Sequence, residues 1–231
     1  MKKAEEILCR TVDVIFTVNI VLKKRLCGYA TQVHLLKPAL DDNFLKISES
    51  LCDTDKKDIE IGFVGSIDRR FDPEIVELIA NKHPEWRILI IGPIMYNLNK
   101  LHKLRKIKNI EFIGLVKEKL ANYYKRFKLG IIPYHVNEFT DVIVPLKIFE
   151  FFSFGTPVVS TPLKALRGLS KGQLLYLAEK EDFLETIEKI IHDGEQQILR
   201  EKRIAFSSKN LWFKRIEYIQ EVLSPLLQAQ A

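Results

Sequence analysis

Cysteine is scarce in these 231 residues: Cys9, Cys27 and Cys52 make an odd number, with no Cys-x-x-Cys pair. Neither a disulfide framework nor a zinc site is suggested, and a reducing cytoplasm is the expected setting. Long apolar runs are missing too. The longest, Val12–Leu22, falls short of the roughly 20 residues that span a bilayer, and it carries Asp13 and Asn19. Met1–Leu8 turns acidic where the apolar run of a signal peptide would begin, so none is expected. His34, His83, His102, His135 and His192 form no ligand cluster and no His-Glu-x-x-His occurs, so no metal site is expected. The absence of Gly-x-Ser-x-Gly leaves a hydrolase elbow unsupported. The absence of Walker A and Gly-x-Gly-x-x-Gly spacing disfavours a P-loop nucleotidase and a dinucleotide oxidoreductase. No internal repeat or low-complexity segment stands out.

Acidic residues fall short of basic ones, 30 against 36, which leaves +6 and a pI near 9.1. That balance favours anionic partners, whether nucleotides, phospholipid surfaces or nucleic acid. Hydrophobic residues at 47% and charged residues at 29% describe a globular chain with enough apolar surface for a full core.

Strand signals alternate with helical ones. Asp13–Val18 and Gln32–Leu36 read as short strands on either side of a basic helix, Ile20–Leu26. The polar stretch Asp41–Asp58 reads as a surface connection. From Glu60 the alternation becomes regular. Strands are expected at Glu60–Gly65, Arg87–Ile91, Asn109–Ile113, Leu129–Pro133, Pro157–Thr161 and Leu174–Ala178. Helices are expected at Pro73–His83, Asn97–Lys106, Glu118–Phe127 and Pro145–Phe154, with three more over Asp182–Ile191, Gln196–Phe206 and Asn210–Leu223. The pattern predicts an α/β fold, a doubly wound parallel sheet covered on both faces, with a short N-terminal appendage. In such sheets ligands bind beyond the carboxyl ends of the strands. That directs attention to the loops after Gly65, Gly92, Gly114 and Pro133.

The most informative stretch is Val144–Thr161. Pro145 suits a first helical turn. The N–H groups of Leu146, Lys147 and Ile148 would then face outward beside the positive end of the helix dipole. Lys147 adds a full charge, and Glu150 lies one turn on along the same face. From Leu146 to Glu150 the rise is about 6 Å, roughly the span from a diphosphate to the ribose of the same nucleotide. Gly155 in a left-handed cap would turn the chain into the next strand. A helix with merely solvated Lys147 and Glu150 has the same start and stop signals, so the motif alone leaves both readings open.

Pro145-Leu-Lys-Ile-Phe-Glu-Phe-Phe-Ser-Phe-Gly-Thr-Pro-Val-Val-Ser-Thr161 resembles the donor-binding signature of nucleotide-sugar glycosyltransferases with two Rossmann-like domains, the GT-B fold. Within these it resembles the retaining family labelled glycosyl transferases group 1. That signature is a Pro-x-Lys-x-x-Glu-[Tyr/Phe] helix followed by a small residue, Gly and Pro-Val-Val. Ile61–Ser66, Trp86–Pro93, Asn109–Val116 and Tyr123–Pro133 follow the family's order of strands and loops. The resemblance covers Glu60–Leu223, and Glu5–Phe44 resembles the last strand of an acceptor domain with its connection. It implies three regions: an acceptor-domain remnant over 1–45, a polar linker over 46–58, and a nucleotide-sugar-binding domain over 59–231.

The resemblance also implies roles. Glu150 would bind ribose. Lys147, with the amides of Leu146 and Lys147 after Pro145, would stabilise the departing diphosphate. Gly65 and Ser66 would let the backbone approach the phosphates, with Arg69 or Arg70 bracing them. Gly92 lies in the second strand's turn. Gly114, Leu115 and Val116 would hold the base through main-chain groups, and His135 could face the sugar. The donor is then a nucleoside-diphosphate sugar and no metal cofactor is implied. Two departures stand out. The second acidic residue of many members is replaced by Val142, with Asp141 beside it. The length accommodates one such domain and a stub, so an acceptor half on a partner chain, a truncated product and a non-catalytic nucleotide-binding subunit all remain open. The basic run from Lys100 to Lys108 suits a solvated face, with Leu101, Leu104 and Ile107 packed on the sheet, or a peripheral contact with anionic lipid at the inner face of the membrane. Net charge alone supports a nucleic-acid-binding domain, and no nucleic-acid partner is expected.

Overall fold

The computed structural model describes residues 2–51, 59–95, 101–116, 118–194 and 196–228. Helix α1 (Lys2–Thr11) leads into a small unit, β1 (Ile15–Thr17), α2 (Ile20–Leu26) and β2 (Val33–Leu35), whose two strands pair in parallel. Helix α3 (Asp42–Leu51) follows. The main domain then alternates β3 (Glu60–Val64), α4 (Pro73–Lys82), β4 (Arg87–Ile91), α5 (Leu101–Leu104), β5 (Ile110–Gly114), α6 (Leu120–Arg126) and β6 (Leu129–Ile132). It continues through α7 (Lys147–Ser153), β7 (Val158–Ser160), α8 (Arg167–Lys171) and β8 (Tyr176–Leu177). It ends with α9 (Phe183–Asp193), α10 (Gln197–Lys209) and α11 (Trp212–Gln228).

The six main strands lie in the order β5-β4-β3-β6-β7-β8, all parallel. The order reverses between β3 and β6, which places the topological switch point, and so the ligand crevice, beside these two strands. Buried apolar side chains from β3, β4 and β6 meet Ile75, Val76 and Ile79 of α4 and Phe151 and Phe152 of α7 in one continuous core. The aromatics of α7 are core: Phe151 lies against Gly130, where a Cβ would come within 2.6 Å of its ring. Leu101 and Leu104 are buried as expected. The start of the helix expected over Asn97–Lys106 lies outside the described residues, and its described part is the short α5.

Three helices depart from the sequence expectation: α3, α1 and the short α8. Asp42–Leu51 is α3 rather than a surface connection. The Asp41 carboxylate caps it, accepting from the N–H groups of Asn43 (2.9 Å) and Phe44 (3.0 Å). Phe44, Leu45, Ser48 and Leu51 form its inner stripe, packed toward α6 and α7. The polar composition of 41–58 hides this sparse stripe. Residues 52–58 lie outside the described residues. The second addition is α1, which seats Cys9 against Leu26 and Val33.

The N-terminal unit is tied to the rest at both ends. Leu40 N–H donates to the Asn210 carbonyl (2.8 Å), and Trp212 N–H donates to the Leu40 carbonyl (3.1 Å). Arg215 Nε on α11 donates to the Lys37 carbonyl (2.9 Å), and Tyr218 Oη lies 2.9 Å from His34 Nδ1. No described helix is long and apolar enough to cross a membrane.

Candidate functional site

Three glycines cross the carboxyl rim of the sheet. Gly65 N–H donates to the Ile91 carbonyl (2.9 Å), and Gly92 N–H donates to the Gly114 carbonyl (2.8 Å). Gly92 has φ +142°, and a Cβ there would sit 2.0 Å from the Gly65 carbonyl oxygen. Only glycine permits that backbone-to-backbone approach. Beyond it the two loops zip together through Ile67 N–H to the Pro93 carbonyl (2.9 Å) and Met95 N–H to the Ile67 carbonyl (3.0 Å). The rim is thereby stripped of side-chain bulk where a ligand would approach β3 and β4. Ser66 is half-buried, Arg69 and Leu115 are exposed and Val116 is half-buried, all on the same rim.

Arg70 is committed elsewhere. Its guanidinium forks onto Asp68, with Nε at 2.9 and 3.0 Å, and lies 5.3 Å from the centre of the Tyr134 ring. The Asp68 carboxyl is held below its usual range by the Arg70 hydrogen bond, and burial of Asp68 only partly offsets this. Of the two arginines in this turn, Arg69 is the one on the surface.

After β6 the chain runs Pro133, Tyr134, His135. The His135 N–H donates to the Arg70 carbonyl (2.7 Å), which stitches this loop to the one after β3. His135 Nδ1 lies 3.4 Å from Oδ2 of the buried Asp72, which also accepts from Lys180 Nζ (2.8 Å). The other Asp72 oxygen caps α4 through the Glu74 N–H (2.9 Å). His135 is thus positioned by Asp72 rather than by the α7 pair. Asp72 and Lys180 give little sign in the sequence, because an Asp-Pro helix start is common and Lys180 is over a hundred residues away.

Helix α7 starts two residues later than the sequence reading places it, at Lys147 rather than Pro145. Ile148 N–H donates to the Pro145 carbonyl (3.2 Å), and Phe149 N–H to the Leu146 carbonyl (3.0 Å). The Ile148 amide is therefore occupied, contrary to expectation, because the first turn closes tightly in 3₁₀ fashion. Among the described residues no acceptor meets the amides of Leu146 and Lys147. One turn on, Lys147 Nζ meets Glu150 Oε1 at 2.7 Å, so the two groups do share a face. Glu150 is largely buried and Lys147 one-third exposed. The helix closes as expected: Gly155 has φ +68°. Its N–H donates to the Phe152 carbonyl (2.9 Å) and Thr156 N–H to the Phe151 carbonyl (3.0 Å), a Schellman closure.

The segment between His135 and α7 is braced. Thr140 Oγ1 donates to the His135 carbonyl (2.6 Å), and Asp141 pairs with Lys164 at 2.7 Å. Burial alone would raise the Asp141 carboxyl, but hydrogen bonds from Lys164 bring it below the ordinary value. The Val142 carbonyl accepts from Asn19 Nδ2 of the N-terminal unit. No group of three His, Cys, Asp or Glu side chains suited to a metal occurs among the described residues.

Comparisons with known proteins give the family and the fold. The profile described as glycosyl transferases group 1 matches residues 59–193, more than half of the chain. The chain belongs to the glycosyl transferases group 1 family. A Bacillus subtilis (strain 168) protein named as a teichuronic acid biosynthesis glycosyltransferase, TuaH, is 24% identical over 198 residues, which are 82% of this chain and 50% of that protein. Among solved structures, Anabaena Alr3699/HepE in complex with UDP superposes with a TM-score of 0.79 at 14% identity, covering 97% of this chain and 67% of that one. A sucrose-phosphate synthase from Thermosynechococcus elongatus gives 0.77 at 15%, covering 98% and 61%. This group 1 chain has the α/β fold of GT-B glycosyltransferases and spans about half the length of the curated relative it matches.

Proposed function

We propose that the chain is the donor-binding half of a glycosyltransferase that takes a nucleoside-diphosphate sugar and passes the sugar to a hydroxyl acceptor. The observation that carries this reading is the Lys147–Glu150 pair on the rim helix α7, one cation and one carboxylate a turn apart. Glu150 accepts from the two ribose hydroxyls. Lys147, with the Leu146 and Lys147 amides, faces the diphosphate. As the glycosidic C–O bond breaks, negative charge grows on the leaving phosphate, and a cation fixed beside it lowers the barrier because it binds the transition state more tightly than the ground state. The narrow rim at Gly65, Ser66 and Gly92 lets backbone approach the phosphates, while Gly114, Leu115 and Val116 contact the base. Arg69, the more exposed of the two arginines in the turn after β3, braces the phosphates, and His135, held by Asp72, faces the sugar.

Support comes from family membership and from relatives solved with UDP and with UDP-glucose. Teichuronic acid synthesis in the name of a relative points to a surface polysaccharide or glycoconjugate as the product class. Because the chain spans only part of its relatives, transfer is expected to need an acceptor half, supplied as a further segment or a partner chain. The basic residues around α5 suit a peripheral contact with anionic lipid, which co-sedimentation with phosphatidylglycerol vesicles would test.

Calorimetric titration with UDP, GDP, ADP and their sugar conjugates tests the donor reading. One nucleotide is expected to bind, and Glu150→Ala is expected to weaken it by roughly 10²-fold, since two charge-assisted hydrogen bonds are lost. Binding that is indifferent to Glu150→Ala would overturn the reading.

A further inference from the structure

We propose that Tyr124, on α6, is the positioning residue of Glu150: its buried hydroxyl grips the inner carboxylate oxygen and leaves the outer one for ligand. The inference rests on the donor reading above and adds a residue outside the signature helix. Tyr124 is fully buried. Its ring is walled by Phe44 (5.6 Å), Phe151 (4.8 Å), Phe127 (5.8 Å) and Phe154, stacked at 6.0 Å. Such a cage has no use for a hydroxyl, and phenylalanine would pack there equally well. Yet Tyr124 Oη and Glu150 Oε2 are both buried without a hydrogen-bond partner, two of three such side-chain atoms among the described residues. The two side chains are close enough for Glu150 to act on the phenol. Burial first, and the Glu150 charge second, push the phenol well above its ordinary value. The phenol therefore keeps its proton near neutrality and can only donate toward the carboxylate.

Glu150 is then held from two sides by groups of different character. Lys147 Nζ sits on Oε1 at 2.7 Å and is partly exposed, so an arriving diphosphate can draw it away. Tyr124 cannot leave, because the aromatic cage fixes its ring. When Lys147 turns to phosphate, Oε1 opens to a ribose diol while Oε2 stays anchored. The carboxylate thus keeps its orientation through the exchange. Tyr124 itself touches no ligand.

Tyr124→Phe removes only the hydroxyl. Titration uses whichever of UDP, GDP or ADP the unaltered chain binds, beside the dideoxyribose counterpart of that nucleotide. The expected result is a loss of ~5- to 10-fold in affinity for the ribonucleotide, none for the dideoxy counterpart, and no effect of Tyr124→Phe in a Glu150→Ala background. Thermal unfolding of the single variant checks that the cage is intact. Equal loss for both nucleotides, or no loss for either, overturns the inference. If Glu150→Ala itself leaves binding unchanged, the donor reading falls first. If Glu150→Ala weakens binding and Tyr124→Phe is silent, only this inference falls.

Discussion

At residue scale the rim depends on a few positions where no other side chain serves. Gly92 is the clearest, since a methyl group would overlap the Gly65 carbonyl at 2.0 Å. Gly92→Ala is expected to cost about 2–4 kcal/mol in urea unfolding and to weaken nucleotide binding as the two loops part. Lys147 belongs to the same scale. Lys147→Gln keeps a polar side chain one atom shorter and removes its charge. Affinity for the diphosphate is expected to fall by ~10-fold or more while affinity for the nucleoside is unchanged, and paired titrations with the two ligands would show it. Lys147 and Glu150 were legible in the sequence because i, i+3 spacing fixes a shared helical face whatever surrounds it. Tyr124 was not. Its role depends on α6 lying beside α7, a tertiary fact that no local pattern encodes.

At the scale of elements, α10 closes α7. Arg203 is fully buried, and it donates through Nε to the Leu174 carbonyl (2.9 Å) and through Nη1 to the Gly155 carbonyl (3.1 Å). Burial lowers its pKa to about 10. Arg203→Met is expected to destabilise by about 2–4 kcal/mol, because two buried carbonyls lose their donor, and denaturant midpoints would report it. At the opposite end of the sheet His83 joins α4 to α9. Its ring stacks on Trp86 at 3.6 Å, with Glu85 and Glu188 each 2.8 Å from a ring nitrogen. Burial alone would lower the His83 pKa, but the two carboxylates outweigh it and leave the group raised above 6.5. Its stabilisation is therefore complete below that unfolded value and is lost as pH rises through the higher folded one. The melting temperature should fall between about pH 6 and pH 8, and His83→Gln should flatten that fall. Most main strands were legible because they are short apolar runs with Gly or Pro at the end; β8 has no such stop and is read from its apolar run alone. Helix α3 was missed because only Phe44, Leu45 and Leu51 carry its apolar stripe, and the capping role of Asp41 reads equally as one more polar residue of a loop.

At the scale of the molecule, the N-terminal unit is fastened to the rim and to the last helix. Asn19 does the first: it caps α2 through the Leu22 N–H (2.9 Å) and donates to the Val142 carbonyl in the loop before α7. Asn19→Ala is expected to loosen the unit by about 1–2 kcal/mol, seen as faster amide exchange at Ile15–Thr17 with the exchange of β3 and β4 unchanged. The second fastening has a consequence for synthesis. Residues 34–42 take partners from residues 210–218, as far as 184 positions later in the chain. A ribosome delivers the two halves of these contacts in a fixed order. The six-stranded sheet can form while α11 is still in the exit tunnel, but His34, Lys37 and Leu40 must wait for it. The unit of β1, α2 and β2 is therefore made before the six-stranded sheet yet finished after it.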